Sequence, residues 1–552
     1  MIARKKSKIM VLILTLTLLL SMGGVANAAE PRNIEADSRA AITINGVENI
    51  GIVTAYKVID VNFDTENQQP LDPVYTWDNE VGKWLGDNGY GSYVEKIDND
   101  VDDPLDDVYV VTETFRNLGD NSAEIKQFVD KLASAIKIKG EEFSLDVSSG
   151  NLAGSTGGSY EFGGMEMGAY LILVTGGVKI YSPIFTNVYP SFNEKLGENG
   201  EWELAAPEVS VTAKSEIPGL VKEVDDPTVA IGDTVKYTLT IAVPQYPDNA
   251  LDKRFAFGDR LPDGLSLVND SVKIYAGSTE DVDNEITGCF AATEELDEGV
   301  TFEYYANTYD ALMQAHPDLT TILVTYNAAV DSDAYNYKDG MVNTAYLEYD
   351  NDPYDDTDYR TIEDNEIVYT YALQITKTGD DSEVLEGAEF ELKRHDPEGT
   401  MKFVKESDGI YHVAAQDEAN TAVERVVSNS KGIIQIKGLD VGSYTLTEVK
   451  APDGYTLPSN PNTTITLSEG ETTDGTLDSI KADGVLVTDD SVRVDGTDDN
   501  QGNVGISNST SDFDLPRTGG IGTVIFTVAG ILIMSGAVIL LVTASKKKSN
   551  HK

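Results

Sequence analysis

Three polar side chains in the last third of the chain fall on the apolar sides of predicted strands. In YALQITK, Lys377 shares a face with Leu373 and Ile375, because successive side chains of a strand point to opposite sides. By the same alternation, Glu448 in SYTLTEV and Asn508 in VGISNS lie with apolar neighbours. Each charged group alone would be costly to bury, but a lysine and a glutamate together can satisfy one another.

These three residue types can also react with one another. Burial lowers the pKa of a lysine, which becomes a nucleophilic amine, and raises the pKa of a carboxylic acid, which stays protonated. The amine can attack the asparagine amide, ammonia leaves, and an isopeptide bond forms, with the enforced contact supplying the catalysis. Such a link would stabilise a chain whose single cysteine, Cys289, permits no internal disulfide.

A second set of the same residue types occurs in the middle of the chain. Lys222 in GLVKEV, Asp259 in FAFGDRL and Asn343 in MVNTAYL each share a strand face with apolar residues. For either set the alternative is an ordinary buried ion pair, or a polar residue at a strand end. Two such sets in one chain favour cross-links, with Asp259 and Glu448 as the assisting acids.

The elements that must position these residues are mostly strands. Alternating runs such as VKYTLTIAV, LVTYNAAV and GIIQIKGL recur between clusters of Gly, Asp, Asn and Pro. One segment, 122–137, has apolar residues at helical spacing, and the acidic stretch 474–503 is predicted to be a solvated loop, with a calcium site as the alternative. The pattern predicts a mainly β chain of tandem immunoglobulin-like, collagen-adhesin-type β-sandwiches forming an elongated rod.

Both ends of the chain carry address signals. A basic start, the apolar run 9–20 and the small residues before Ala28 predict a signal peptide cleaved after Ala28, rather than an uncleaved anchor. Near the other end, LPRTG precedes an apolar stretch at 521–544 that is long enough to cross a bilayer, and then a basic tail. This order resembles the cell-wall sorting signal of Gram-positive surface proteins. The resemblance implies that a sortase cuts between Thr518 and Gly519, within the signal Leu515, Pro516, Arg517, Thr518 and Gly519.

The charge and the histidine content exclude some functional classes. The formal charge is −52, and eight basic residues but no acidic ones lie in the two segments that processing would remove. This charge argues against nucleic acid or an anionic membrane as partners. The four histidines show no paired spacing for a metal or a catalytic triad, so we expect no metal, no cofactor and no turnover enzyme.

Several motifs together resemble the backbone (major) pilins of Gram-positive bacteria, the isopeptide-forming fimbrial subunits. YTLTEVKAPDGY at 444–455 is similar to the E-box of their collagen-adhesin B-type (Cna-B) domain. IGDTVKYTLTIAVPQY, FGDRLPDGLSL and NTAYLEYDNDP are similar to the signature of their second domain. The resemblance implies two isopeptide sets, Lys222–Asn343 with Asp259 and Lys377–Asn508 with Glu448, although Asn500 and Asn503 are alternatives to Asn508.

The expected organisation follows from these motifs. We predict a signal peptide at 1–28, an N-terminal pilin domain at 29–213, an isopeptide-forming fimbrial middle domain at 214–368, a Cna-B-type domain at 369–513, and the sorting signal with its transmembrane helix and basic tail at 514–552.

The N-terminal domain departs from the family at one position. Pilins carry a motif that ends in Tyr-Pro-Lys, whose lysine accepts the threonine of the next subunit, whereas IFTNVYPSFNEK has Ser191 in the place of that lysine. A hydroxyl is a poor substitute for an amine in a stable amide. Lys195 or Lys179 could serve instead.

The resemblance implies a structural role at the cell surface. We expect a pilus subunit, joined by sortase to copies of itself or to other pilins, attached to peptidoglycan and supporting adhesion. The alternative, which Ser191 favours, is a monomeric wall-anchored adhesin whose N-terminal domain binds a host protein or glycan.

Overall fold

The computed structural model describes the larger part of the chain, namely residues 34, 38–98, 107–119, 122–138, 143–151, 158–193, 201–334, 339–355, 359–470, 473–482, 492–498 and 500–510. The predictions for Ala28, Lys195 and the sorting signal therefore lie outside the described residues. Strands dominate the described part, which confirms a mainly β chain.

Fourteen strands among the described residues precede residue 217 and make up the first group. They are β1 (Ala40–Asn45), β2 (Ile52–Asp64), β3 (Gln69–Trp77), β4 (Val94–Ile97), β5 (Val108–Val111), β6 (Val147–Asn151), β7 (Ser159–Met165), β8 (Gly168–Thr175), β9 (Ile180–Tyr181), β10 (Ile184–Val188), β11 (Pro190–Asn193), β12 (Glu201–Leu204), β13 (Glu208–Thr212) and β14 (Ser215–Glu216). A seven-stranded sheet has the order β10-β8-β2-β3-β5-β4, with β6 also on β2. A three-stranded sheet has the order β13-β1-β7, and β11 pairs with β12 and β14 with β9.

Four α-helices occur among the described residues, and three of them belong to this first group. They are α1 (Asn79–Asp87), α2 (Glu113–Arg116), α3 (Ala123–Ile138) and, further on, α4 (Tyr309–Ala315). The predicted helix at 122–137 is confirmed as α3, whose apolar face is buried because its apolar residues recur every three or four positions. Short 3₁₀ turns lie at Gly91–Tyr93, Val282–Asn284, Thr287–Cys289, Ser332–Ala334 and Gln416–Glu418.

The second group of strands forms two five-stranded sheets. Its members are β15 (Gly219–Val224), β16 (Thr234–Ala242), β17 (Phe255–Arg260), β18 (Leu265–Leu267), β19 (Lys273–Ala276), β20 (Phe290–Ala292), β21 (Phe302–Ala306), β22 (Thr321–Val330), β23 (Met341–Asp350) and β24 (Tyr359–Val368). One sheet has the order β15-β16-β22-β18 with β19 on β22, and the other has the order β20-β21-β17-β23-β24. Apolar residues of both sheets share one core.

The third group forms two six-stranded sheets. Its members are β25 (Tyr371–Thr378), β26 (Glu389–His395), β27 (Glu398–Thr400), β28 (Phe403–Ser407), β29 (Ile410–Val413), β30 (Val426–Val427), β31 (Ile433–Leu439), β32 (Gly442–Lys450), β33 (Asn462–Glu469), β34 (Leu477–Ala482), β35 (Val492–Asp498) and β36 (Gln501–Ser507). One sheet has the order β28-β29-β31-β25-β36-β35, and the other has the order β27-β26-β32-β33-β34 with β30 on β26. The first and last strands, β25 and β36, are therefore parallel neighbours.

The prediction of a solvated loop at 474–503 is wrong. This stretch contains β34, β35 and the start of β36, and Leu477, Ile480 and Ala482 are buried. The apolar residues of β34 do not alternate strictly, because its pairing with β33 shifts register between Ser468 and Glu469. A bulge of this kind hides the two-residue period on which strand prediction depends.

The second and third groups of strands are joined by ion pairs and by a close backbone contact. The Arg394 guanidinium donates to both carboxylate oxygens of Asp233, at 2.9 and 2.7 Å, and to Asp440 at 2.6 Å. Beside it, the Ile231 amide donates to the Gly438 carbonyl at 3.0 Å. Gly438 has φ +74°, and a Cβ there would lie 2.3 Å from the Ile231 side chain, so only glycine permits this approach. One continuous apolar core therefore runs through both groups.

The first and second groups are also held together by hydrogen bonds. The buried Asp130 carboxylate of α3 accepts from the Asn249 side chain at 2.8 Å and from the Tyr354 hydroxyl at 2.7 Å. On the other side, Tyr349 donates to the Val178 carbonyl at 2.6 Å. In the part of the chain that is described, no helix has both the length and the apolar character needed to span a bilayer.

Candidate functional site

The structure brings Lys377, Glu448 and Asn508 together inside the third group of strands. Lys377 is on β25, and Asn508 directly follows β36, so parallel pairing of these two strands places both residues at the same end of one sheet. Glu448 reaches them from β32 in the other sheet. All three are buried, with 0%, 2% and 2% exposed surface for the lysine, the glutamate and the asparagine.

The amine, the amide and the carboxyl group of the triad are in mutual contact. The Lys377 Nζ lies 2.5 Å from Asn508 Oδ1 and also donates to the Ile506 carbonyl at 3.3 Å. The Asn508 Nδ2 donates to Glu448 Oε1 at 2.8 Å, and that oxygen is 3.9 Å from the lysine Nζ. The amine thus lies against the amide group, and the carboxyl lies against the nitrogen that would leave.

Burial pushes the amine and the acid toward their neutral forms. Desolvation lowers the pKa of Lys377 to about 8, although the negative charge of Glu448 opposes the shift. Desolvation likewise raises the pKa of Glu448 above its usual range, against the opposing effect of Lys377. Glu448 Oε2 is buried and finds no hydrogen-bond partner among the described residues, which a neutral carboxyl tolerates better than a carboxylate.

The other two asparagines considered from the sequence do not reach the lysine. The Asn503 Oδ1 accepts from Gln501 at 2.9 Å, and Asn503 pairs with Gln374, whose side chain points away from the core. The Asn500 side chain donates to the Thr370 carbonyl at 3.5 Å.

In the second triad, Lys222, Asp259 and Asn343, a tyrosine hydroxyl connects the acid to the amide. The Lys222 Nζ on β15 donates to Asp259 Oδ2 on β17, and both side chains are fully buried. Asn343 on β23 lies in the same sheet as Asp259, and its exposed fraction is 0%. The Tyr326 hydroxyl joins the three, because it donates to Asp259 Oδ2 at 2.6 Å, and accepts from Lys222 Nζ at 2.9 Å and from Asn343 Nδ2 at 3.0 Å.

Burial also favours the neutral forms of the second triad. Desolvation lowers the pKa of Lys222 and raises the pKa of Asp259, and in each case the charge of the partner opposes the shift. The Tyr326 pKa is raised far above its usual value by desolvation and by the neighbouring Asp259. Its hydroxyl therefore keeps its proton and can bridge the acid to the amide.

Sequence reasoning missed Tyr326 and Tyr237. Their rings are stacked with centroids 5.3 Å apart, and the Lys222 Nζ lies 4.9 Å from the Tyr237 ring centre. The signal was present in LVTYNAAV, where Tyr326 shares a face with Val324 and Ala328, but a tyrosine on that face resembles any core aromatic.

Two of the candidate linking residues, Ser191 and Lys179, lie in the first group of strands. Ser191 is on β11, opposite Glu203 of β12, and Lys179 lies in the turn before β9, where its backbone amide donates to Glu48 at 2.9 Å. Lys195 is outside the described residues. No cluster of three or more His, Cys, Asp or Glu side chains suited to a metal ion occurs among the residues that the structure describes.

Comparisons with known proteins agree with this architecture. Residues 371–481 match the prealbumin-like fold domain SpaA, and residues 507–551 match the LPXTG cell wall anchor motif. The trypsin-resistant surface T6 protein of Streptococcus pyogenes serotype M6 is 25% identical over 460 residues, which cover 68% of this chain and 79% of that protein. The fimbrial subunit type 1 of Actinomyces viscosus is 26% identical over 418 residues, covering 68% and 72%.

A solved structure supports the fold as a whole. The structure of the T6 backbone pilin of serotype M6 S. pyogenes, which has a modular three-domain structure, superposes with a TM-score of 0.51 and 20% sequence identity. The superposition covers 86% of this chain and 99% of that pilin chain. The chain is therefore an LPXTG-type surface protein of the Gram-positive cell wall, with a prealbumin-like SpaA domain and the architecture of the backbone pilins.

Proposed function

We propose that this chain is the structural subunit of a sortase-assembled pilus, and that Lys-Asn isopeptide bonds staple its middle and third domains. The observation that carries the proposal is the contact between Lys377, Asn508 and Glu448 in a dry site. The similarity to a fimbrial subunit and to a backbone pilin supports the role, and the matched anchor motif supports attachment to the wall.

The proposed reaction in the third domain balances without any added reagent. The neutral Lys377 amine attacks Asn508 Cγ, the new Nζ–Cγ bond forms, and the Cγ–Nδ2 bond breaks. The proton lost by the amine passes through the Glu448 carboxyl to Nδ2, which leaves as ammonia. Because contact and desolvation are provided by the folded domain, one turnover per chain suffices and no enzyme is needed.

The proposed reaction in the middle domain uses one more group. The Asp259 carboxyl contacts the Lys222 amine, whereas the Tyr326 hydroxyl links that carboxyl to the Asn343 amide. We assign Tyr326 the relay of a proton between acid and leaving amide. The described contacts in the third domain show no counterpart, because Glu448 meets the amide there directly.

The second candidate function is a monomeric wall-anchored adhesin, which Ser191 favours because β11 offers no lysine in its place. In both cases a sortase and peptidoglycan are partners, and a host protein or glycan is the proposed adhesion ligand.

Polymerisation separates the two candidates. Wall extracts of a Gram-positive host that expresses the chain with its pilus sortase should show a high-molecular-weight ladder on an immunoblot, because amide-linked subunits resist boiling in detergent. A Thr518→Ala chain serves as the control and should give no ladder. A single band of monomer size from the unaltered chain would instead establish the adhesin.

The intact mass of the mature segment 29–518 tests the internal bonds. We expect a mass two ammonia molecules below that of the sequence, since each bond releases one. Lys222→Ala and Lys377→Ala should each lack one bond, so each variant should be only one ammonia molecule lighter than its own sequence. The matched controls Lys236→Ala and Lys393→Ala alter lysines in exposed ion pairs of the same domains, and they should keep the full deficit. A wild-type mass equal to that of the sequence would leave both triads as ion pairs.

Glu448→Gln should leave the third domain folded but unlinked, because glutamine fills the same space and has no acidic proton. The mass of this variant should be one ammonia molecule, rather than two, below the mass of its own sequence. Since the linked residues are 131 positions apart, loss of the bond costs about 5 kcal/mol on the chain-entropy model. The melting temperature of the domain should fall by roughly 15 °C. Glu398→Gln, at an exposed ion pair, is the control and should change neither value. A fully linked Glu448→Gln protein would show that the acid is dispensable.

Tyr326→Phe should slow formation of the middle-domain bond alone, by roughly 10²–10⁴-fold, as expected for loss of a proton-transferring group. The measurement is the mass of newly synthesised protein followed with time, and the link in the third domain is the internal control. Equal rates in Tyr326→Phe and the unaltered chain would contradict the relay.

A further inference from the structure

We infer that Lys214 is the amine that accepts the Thr518 acyl group of another subunit, an assignment that rests on the proposed function. It differs from Lys179 and Lys195, the two lysines that the sequence suggested. The argument comes from the environment of the Lys214 side chain.

Lys214 lies between β13 and β14, five residues before the first strand of the middle domain. Its carbonyl accepts from the Ser182 amide at 3.0 Å, and the preceding residue, Ala213, donates from its amide to Asn45 at 2.8 Å. The following residue, Ser215, pairs with Tyr181. The backbone is therefore fixed on both sides of Lys214, at the junction of the first and second groups of strands.

The Lys214 amine is buried and has no hydrogen-bond partner among the residues that the structure describes. An unpaired buried amine is costly, and a fold gains no stability from it. The residue as a whole is only partly buried, so the amine lies just below the surface. Rotation of the flexible lysine stem would present it to an incoming acyl group.

Two other lysines of the same domain, Lys57 and Lys96, are held in ion pairs. The Lys57 amine is 2.7 Å from Asp60 and 3.2 Å from Glu166, and the Lys96 amine is 2.7 Å from Asp107. A carboxylate at this distance keeps a lysine protonated and unreactive. Lys214 lacks such a partner within the described residues.

The electrostatic surroundings agree with a nucleophile. Burial lowers the pKa of Lys214 to about 8, and the positive charge of Lys126 on α3 adds to the shift. The fraction present as free amine near neutral pH is therefore larger than for an ordinary lysine. The same feature makes an amine a better acceptor for a thioester.

The proposed transfer balances with a sortase as the co-reactant. The sortase thiol passes its proton to the Gly519 nitrogen as its sulfur attacks the Thr518 carbonyl, so a thioester forms, the Thr518–Gly519 peptide bond breaks, and the C-terminal segment leaves with a free amine. The neutral Lys214 Nζ of another subunit then attacks that carbonyl, the C–S bond breaks, and an amide forms. The proton lost by the amine returns to the sortase thiolate.

The test expresses the full chain with its pilus sortase in a Gram-positive host and digests the polymer with trypsin. We expect mass spectrometry to find a branched peptide in which Thr518 is joined to Lys214. Lys214→Met should abolish the ladder, because methionine fits a dry site but cannot form an amide. The matched variants Lys179→Met and Lys195→Met should polymerise like the unaltered chain.

Two measurements show that the variant is still folded. Lys214→Met should keep the mass deficit of two ammonia molecules and a melting temperature close to that of the unaltered protein. A branch on another lysine, or a full ladder from Lys214→Met, overturns the assignment while leaving the pilus function intact. The absence of any ladder from the unaltered chain overturns the pilus function, and the assignment with it.

Discussion

Desolvation of a lysine amine is the constraint on which the two triads depend. Lys377 and Lys222 are fully buried in sandwich cores. Burying a charged ammonium there costs desolvation free energy, and burying a carboxylate beside it costs nearly as much. The low-cost solution is a neutral amine beside a neutral acid, which is also the reactive combination. The groups that would destabilise an ordinary domain are therefore the ones that can stabilise this domain covalently.

The topology decides which residues such a bond could join. In the third domain the first strand, β25, and the last strand, β36, are parallel neighbours, so a lysine near the end of one meets an asparagine just beyond the other. Glu448 belongs to the facing sheet, and its carboxyl group contacts the Asn508 amide across the core. Between domains the contacts are noncovalent, and Arg394 holds carboxylates of two domains at once while Ile231 fits against Gly438.

Much of this could be predicted from the sequence, because strand alternation is a local property. It placed Lys377 and Glu448 on buried faces that the structure also shows as buried. Tyr326 was missed because a tyrosine on an apolar face is indistinguishable from a core residue until its hydroxyl is seen between Asp259 and Asn343. Lys214 was missed for the opposite reason. Alternation puts it on the face opposite the buried Val211 and Ala213, and the burial of its amine is visible only in the folded structure.

The positions of the linked residues give the proposed bonds a mechanical meaning. A pull applied between Lys214 and Thr518 would cross eight residues to Lys222, pass through the bond to Asn343, and cross 34 residues to Lys377. It would then pass through the second bond to Asn508 and cross ten residues to Thr518. Most strands of both sandwiches would lie outside this path, so tension would not unfold them. Residues before Lys214 would lie off the path altogether, so the segment that precedes it could vary its surface without weakening a fibre linked in this way.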